Sequence, residues 1–332
     1  MIPISQPVSF DSHENSPKKR RELLKEIRAW KEKRNALIIA HNYQVPDIQD
    51  IADFVGDSLG IAKKAALAPQ KLIVFCGVHF MAESAAIFSP EKTVLIPDPN
   101  AGCSLAASID VEELRKWKHR YPKALVVSYV NTTAEIKAES DYCVTSTNAV
   151  QVVQSIPEDR EIIFLPDMFL GDYVARKTGR KNFYVYPGEC HVHARVRAQD
   201  IIKKLGRHPT AEFLIHPECG CVSQCMHYVA TKAIPDDKTH ILSTSGMLEH
   251  AKKSPKDKFI VATETGIIHQ LKKQNPKKKF LPLRKDMVCE YMKMITPEKL
   301  LNSLINLEYE VKVSKEIAER ARLPIERMFA IS

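Results

Sequence analysis

None of the short fingerprints of the common enzyme classes occurs in this chain. There is no G-x-G-x-x-G, no P-loop, no G-x-S-x-G and no H-E-x-x-H in its 332 residues. Dehydrogenases of the usual fingerprint, nucleotide-dependent kinases, serine hydrolases and zincins all lose weight. Aromatics are scarce, at 7%, so a nucleic-acid surface of interleaved basic and aromatic side chains has little to build on, despite a net charge of +9. The lysines are dispersed, or gathered in "LKKQNPKKKF" after a helical stretch, where solvated charge explains them. Steering of small anionic substrates fits the same charge. No apolar run approaches a membrane span, and "MIPISQPVSFDSHENSPKKRR" lacks the apolar centre of an export signal. The expectation is a cytoplasmic protein with neither nucleic-acid nor membrane partners. Residues 1–20 read as a flexible tail. In the cytoplasm thiols stay reduced, so the eight cysteines read as buried thiols or metal ligands rather than a disulfide framework.

What is present is a threefold repeat. The apolar runs "ALIIAHNYQ", "ALVVSYVNT" and "AEFLIHPEC" each end in polar residues and each follow a charge-rich helical stretch. Continuous runs of this kind suit parallel strands buried on both faces. From His41 to Ser58 and from Tyr129 to Ser146 the spacing is 17 positions, and from His216 to Thr244 it is 28. Each of those hydroxyls opens a helical stretch, where it reads as an N-cap and, equally, as part of an anion site. Further apolar runs give each unit about four short strands alternating with helices. The fold expected is α/β: three related sandwich units with parallel four-stranded sheets around a central site. The units span residues 21–107, 108–195 and 196–332, the last including C-terminal helices.

Each unit closes with a cysteine soon after a proline: Cys103, Cys190 and Cys289. Three convergent thiolates suit a soft metal or an iron–sulfur cluster, and a cubane held by three cysteines leaves one iron free to act as a Lewis acid. "HPECGCVSQCMHY" is different. Its Cys219, Cys221 and Cys225 lie mostly in an insertion confined to the third unit, without the spacing of a zinc knuckle or ferredoxin run. Local thiols on a connecting loop are the first reading; a second metal site and a redox pair stay open. Cys76 and Cys143, in or beside apolar strands, read as core. In parallel sheets ligands bind beyond the carboxyl ends of the strands. Those ends offer His41 with Tyr43, Tyr129 with Asn131, and His216 with Glu218. His193 and His191 lie equally near Cys190, and spacing does not rank them.

With "IIAHNYQVPDIQDIADFVGDSL", "FCGVHFMAES", "YVNTTAEIKAESDYCVTSTNAV", "HPE", "STSGM" and "TETGIIHQLKK", the chain from about residue 21 onward resembles the quinolinate synthases. These are iron–sulfur enzymes of bacterial and archaeal NAD biosynthesis. The resemblance implies a [4Fe-4S] cluster on the pseudo-threefold axis, with one iron lacking a protein ligand. It implies condensation of iminosuccinate with dihydroxyacetone phosphate to quinolinate, with release of phosphate and water. The enzyme supplying iminosuccinate would be a transient partner. Carried over by position, Cys103, Cys190 and Cys289 become the cluster ligands. His41, Ser58, Tyr129, Asn131, Ser146, His216, Glu218 and Thr244 become substrate contacts, and Tyr43 the acid/base side chain. From their places beside the same centre, His193 is a further candidate contact, and Glu218 and His41 join Tyr43 as catalytic candidates. The run "STSGM" leaves both Thr244 and Ser245 open; the family's Ser-Thr order favours Thr244.

Overall fold

The computed structural model of the chain describes residues 16–230 and 236–331. The first unit runs α1 (Pro17–Arg34), β1 (Ala36–His41), α2 (Pro46–Ile51), β2 (Phe54–Gly56), α3 (Ser58–Leu67), β3 (Leu72–Cys76), α4 (His79–Phe88) and β4 (Thr93–Leu95). The second repeats that order as α5 (Val111–Arg120), β5 (Leu125–Tyr129), α6 (Ala134–Ala138), β6 (Tyr142–Val144), α7 (Ala149–Ser155), β7 (Ile162–Leu165), α8 (Met168–Thr178) and β8 (Phe183–Val185). The third is α9 (Ala198–Arg207), β9 (Glu212–Ile215), α10 (Val222–Ala230), β10 (Thr239–Ile241), α11 (Thr244–Lys253), β11 (Lys258–Ala262), α12 (Ile267–Gln274) and β12 (Lys279–Pro282). Three short helices' worth of chain then remains as α13 (Glu290–Lys293), α14 (Pro297–Asn306) and the longer α15 (Lys315–Ala330).

Each unit holds one four-stranded sheet, ordered β2-β1-β3-β4, β6-β5-β7-β8 and β10-β9-β11-β12, and every pairing within these sheets is parallel. The central strands explain the apolar runs. All of β1 and β9, and all of β5 except Leu125, are buried, because helices cover both faces of a parallel sheet. Helix α1 starts at Pro17, inside the stretch read as a tail. Ser16 caps it, with its hydroxyl accepting from the Lys19 amide at 3.4 Å, and Pro17 loses nothing at a position whose N–H has no intrahelical partner. Among the described residues no helix is long and apolar enough to cross a membrane.

The repeat extends to a detail of helix ends. The last carbonyls of a helix lack intrahelical donors and carry the negative end of its dipole. In each unit a basic side chain just ahead of the fourth strand answers this. Lys92 donates to the carbonyls of Ala65, Ala66 and Ala68 at the end of α3, at 2.9, 3.1 and 2.7 Å. Arg180 reaches Val153 at 2.9 Å, Ile156, and Pro157 at 2.6 Å at the end of α7. Lys278 reaches Ala251 and Ser254 at the end of α11, both at 2.6 Å.

The helices after the third unit return to the first two. α14 packs on α1 and β3, while α15 lies on α6, β6 and α4. Ala321, Ile325 and Met328 of α15 share a core with Leu59 and Ile87 of the first unit and Ala134 and Cys143 of the second. Between them, the chain at Tyr309–Val311 pairs antiparallel with the edge of β4.

Lys92→Met keeps the aliphatic stem and removes three charge-assisted bonds. Its unfolding free energy is expected to fall by about 1.5–3 kcal/mol, the range for bonds to a charged group. Chemical denaturation checks this, and an unchanged midpoint would reduce the lysine to a surface charge.

Candidate active site

Because each sheet is parallel, its carboxyl edge is a single edge. The carboxyl edges of all three units border one cavity. The strand-tip residues, the hydroxyls, the unit-closing cysteines and His193 all line it: His41, Tyr43, Ser58 and Cys103; Tyr129, Asn131, Ser146, Cys190 and His193; His216, Glu218, Thr244 and Cys289. His41 and Tyr129 end β1 and β5, and His216 follows β9 directly. Thr244 is among the lining residues and Ser245 is not.

The hydroxyls are not N-caps, which corrects the first reading of them. Asp57 caps α3 by accepting from the Gly60 amide at 2.8 Å, so Ser58 is the first helical residue. Ser243 caps α11 in the same way, accepting from Gly246 at 3.2 Å, and Thr244 is again one residue on. In the second unit the helix starts only at Ala149, and Asn148 closes the turn by accepting from the Thr145 amide at 2.9 Å. With capping done by neighbours, the three hydroxyls face the cavity. Thr244 accepts from Asn42 Nδ2 at 3.0 Å, and Ser146 lies 3.2 Å from His216 Nε2. Asn131 Oδ1 is shielded from solvent with no hydrogen-bond partner among the described residues, which leaves an acceptor for a ligand.

A chain of polar contacts crosses the cavity wall. Glu218 accepts from the Tyr129 phenol and lies 3.1 Å from His193 Nδ1. His193 Nε2 lies 2.9 Å from Thr263 Oγ1, which bonds in turn to the Tyr43 hydroxyl. The two histidines left equal by spacing are thus distinguished. His193 is buried against Glu218 and Cys190, its Nδ1 3.3 Å from Cys190 Sγ. His191 turns to Ser104 at 2.6 Å and Glu290 at 2.9 Å.

Burial sets the protonation of these groups. It holds His41 and His216 down at about 4, so both are neutral imidazoles near pH 7. It pushes the Tyr43 and Tyr129 phenols well above their ordinary range, with the nearby Glu218 carboxylate adding to the effect. Burial also opposes ionisation of Glu218, but His216, His193 and Tyr129 outweigh it and hold the carboxyl at about 2. The thiols of Cys103 and Cys190 are raised by burial to about 11, and that of Cys289 to about 12.

Several participants were not read from the sequence. Asp57 lines the cavity and accepts from Thr147 at 3.1 Å. Thr263 and Glu264 follow β11, the second buried strand of the third unit. Fully buried Glu264 accepts from the Cys289 amide at 3.2 Å, from the Gly266 amide at 2.7 Å, and from Lys293 at 2.9 Å. Lys293 also donates to the Tyr43 carbonyl. The signal for Thr263 and Glu264 in the sequence is "TETGIIHQLKK", a polar run at the carboxyl end of β11 rather than of the first strand of its unit.

Cys219, Cys221 and Cys225 are not on an open loop. Cys225 lies within α10, the other two in the turn before it, and all three are fully buried with Phe213, Ile215 and Ile260. The insertion lengthens the helix that α2 and α6 represent in the other units, and the thiols are its underside. Among the described residues two groups of Cys, His and Glu bring their ligand atoms within 4.8 Å of one another. The first is Cys190, His193 and Glu218; the three local thiols are in neither. Cys76 and Cys143 are core, as expected, and all eight cysteines are free.

Two buried neutral histidines predict an acid sensitivity. An unfolded histidine titrates near 6.5, whereas His41 and His216 titrate at about 4 in the fold. Between those values the unfolded chain binds protons that the fold refuses, so stability falls as pH falls from about 6.5 to about 4. His193, raised, adds stability that is full below about 6.5 and lost only above it, outside this window. Denaturation midpoints measured across the window are expected to decline less steeply in His41→Gln and His216→Gln, each variant removing up to about one proton from the slope. Slopes equal to that of the unsubstituted protein would place the acid sensitivity elsewhere.

The sequence profile of the quinolinate synthetase A protein family matches residues 25–330. A quinolinate synthase of Thermus thermophilus is 54% identical over 309 residues, spanning 93% of this chain and 97% of the relative. One from Mycobacterium sp. (strain KMS) is 52% identical over 306 residues, spanning 92% of this chain and 91% of its own. The Mycobacterium tuberculosis quinolinate synthase is likewise 52% identical, over 92% of this chain and 88% of its own. Similarity of that depth takes in all three units and the cavity between them, and the chain belongs to the quinolinate synthetase A protein family.

Proposed function

We propose that this cavity makes quinolinate from iminosuccinate and dihydroxyacetone phosphate, with release of phosphate and water, and that Cys103, Cys190 and Cys289 hold a [4Fe-4S] cluster with one iron free of protein ligands. One observation carries the reading. A single cysteine from the close of each unit reaches the cavity that the three first-strand tips and three hydroxyls also line. The donor set fits the group. The three thiols are free, partly open to the cavity, and Cys103 Sγ accepts from the Ala106 amide at 3.5 Å, the kind of bond that tunes cluster sulfurs. Raised by burial, they carry protons until a metal displaces them. When bound, a cluster of this kind supplies Lewis acidity toward a substrate oxygen.

The chain's own residues do the rest. Ser58 and Thr244 stand in the first turns of α3 and α11, where free amides and the helix dipole favour a substrate carboxylate. Ser146 adds a third hydroxyl, oriented by His216. His41 and His216, neutral, orient by hydrogen bonding without adding charge. The Tyr43 phenol keeps its proton at neutral pH and is the donor to a departing oxygen; ionised Glu218 is the acceptor. His193 and Thr263 connect the two, so the proton balance is restored inside the wall of the site. The enzyme supplying iminosuccinate is a transient partner, and a reducing cytoplasm suits eight free cysteines.

A second reading rests on the compact group Cys190, His193 and Glu218, which would hold a single metal ion. The spectrum of protein purified without oxygen separates the two. Cys103→Ser, Cys190→Ser and Cys289→Ser are each expected to abolish visible iron–sulfur absorption, while Cys219→Ser, Cys221→Ser and Cys225→Ser retain it. A colourless protein whose metal content is indifferent to Cys103 and Cys289 would establish the mononuclear site instead. Glu218→Gln and Tyr43→Phe are expected to keep the absorption and lower quinolinate formation by about 10²-fold or more. Anaerobic assays of quinolinate and phosphate together check this; near-normal quinolinate output would remove both residues from the mechanism.

A further inference from the structure

The second compact group of potential ligands lies at the opposite end of the third sheet from the cavity. Glu212 is the first residue of β9, at the amino edge, while His216 and Glu218 follow its carboxyl end. His240 is the middle residue of the neighbouring β10, paired in register with Leu214, and His250 is in the last turn of α11. Glu212 Oε2 is the point where they meet: 2.7 Å from His250 Nε2, 3.9 Å from His240 Nε2, and accepting from Ser254 Oγ at 2.9 Å. One ligand atom from each of Glu212, His240 and His250 lies within 4.8 Å of the others.

Two features go beyond an ordinary ion pair. The imidazoles of His240 and His250 stand 3.9 Å apart by ring centroid, closer than two cations would favour. His240 Nε2 is shielded from solvent, although its ring is about a quarter exposed, and it has no hydrogen-bond partner among the described residues. A shielded ring nitrogen that stands 3.9 Å from a carboxylate oxygen and bonds to nothing leaves room for an atom between the two.

We propose that Glu212, His240 and His250 bind a borderline divalent cation of the zinc class. Tetrahedral zinc with nitrogen and oxygen ligands holds neighbouring donor atoms about 3.3 Å apart, a spacing that the 2.7 and 3.9 Å contacts bracket. Two imidazoles and one carboxylate suit zinc over calcium or magnesium, which take oxygen sets. Both rings are about a quarter exposed, which gives the ion a path in and leaves room for water in a fourth position. Asp236 and Asp237 add negative potential on the His240 side, and Lys278, the nearby cation, is committed to the carbonyls of Ala251 and Ser254. Such an ion ties the end of α11 to β9 and β10. The same helix starts with Thr244, so the clamp fixes one end of a rod whose other end lines the active cavity.

The test is zinc titration of the anaerobically purified, iron-loaded protein after chelator treatment and desalting. The expected result is one retained zinc per chain, a rise in melting temperature, and an X-ray absorption shell of nitrogen and oxygen at about 2.0 Å. His240→Gln and His250→Gln, both at partly exposed positions, are expected to weaken zinc binding at least tenfold and to lose the melting shift. Cys219→Ser, Cys221→Ser and Cys225→Ser are expected to leave it unchanged. No retained zinc, a sulfur shell at about 2.3 Å, or equal retention by the histidine variants would each overturn the site.

Discussion

An ionised carboxylate buried to the extent of Glu218 must find donors in the protein, because removing it from water otherwise costs several kcal/mol. Its donors come from outside its own unit: the Tyr129 phenol at the tip of β5, and the His193 imidazole past the second unit's last strand. Thr263 then links His193 to Tyr43 of the first unit. That charge and its partners therefore link groups from all three units along the wall of the cavity. Glu264, next to Thr263 in the chain, is a second buried carboxylate, and Lys293, the Cys289 amide and the Gly266 amide satisfy it. Gly266 is constrained by the same closeness, since a Cβ there would lie 2.6 Å from the Tyr43 carbonyl oxygen.

The repeat was legible because its signals are periodic and local. Apolar runs mark buried parallel strands, the polar residues ending them mark the sheet edge, and one cysteine recurs per unit. The strand tips, hydroxyls and unit-closing cysteines so marked line the cavity, since in a parallel sheet the carboxyl edge and the ligand edge coincide, whereas spacing did not separate His193 from His191. The caps stand one residue before the expected hydroxyl in the first and third units and two residues after it in the second. Sequence shows a run of hydroxyls and acids before each helix, as in "DSL" and "STS", but not which side chain turns back to the amides; backbone angles decide that. The role of Thr263 was hidden for a different reason. A hydroxyl bridging two side chains 70 and 220 positions distant leaves no trace in spacing.

The three cysteines of the insertion carry a related lesson about density and placement. Three thiols in seven residues invite a metal reading, yet Cys225 faces the core from a helix and Cys219 donates to the Ala262 carbonyl at 3.0 Å. Cysteine is among the most readily buried side chains, and these three pack in the core beneath a lengthened helix, Cys221 hydrogen-bonded to Cys219 and Cys225. The dispersed thiols, one per unit, reach the cavity instead. Topology, not proximity along the chain, collects them.

The closing helix α15 has a temporal consequence. Ala321, Ile325 and Met328 cover apolar side chains from both the first and second units, yet they follow everything else described here in the order of synthesis. Units emerge and fold from the amino end. The seam around Leu59, Ile87, Ala134 and Cys143 therefore stays uncovered while some two hundred further residues are translated, roughly ten to forty seconds at ordinary elongation rates. During that interval the half-built protein presents an apolar seam between its first two units, which α15 later covers.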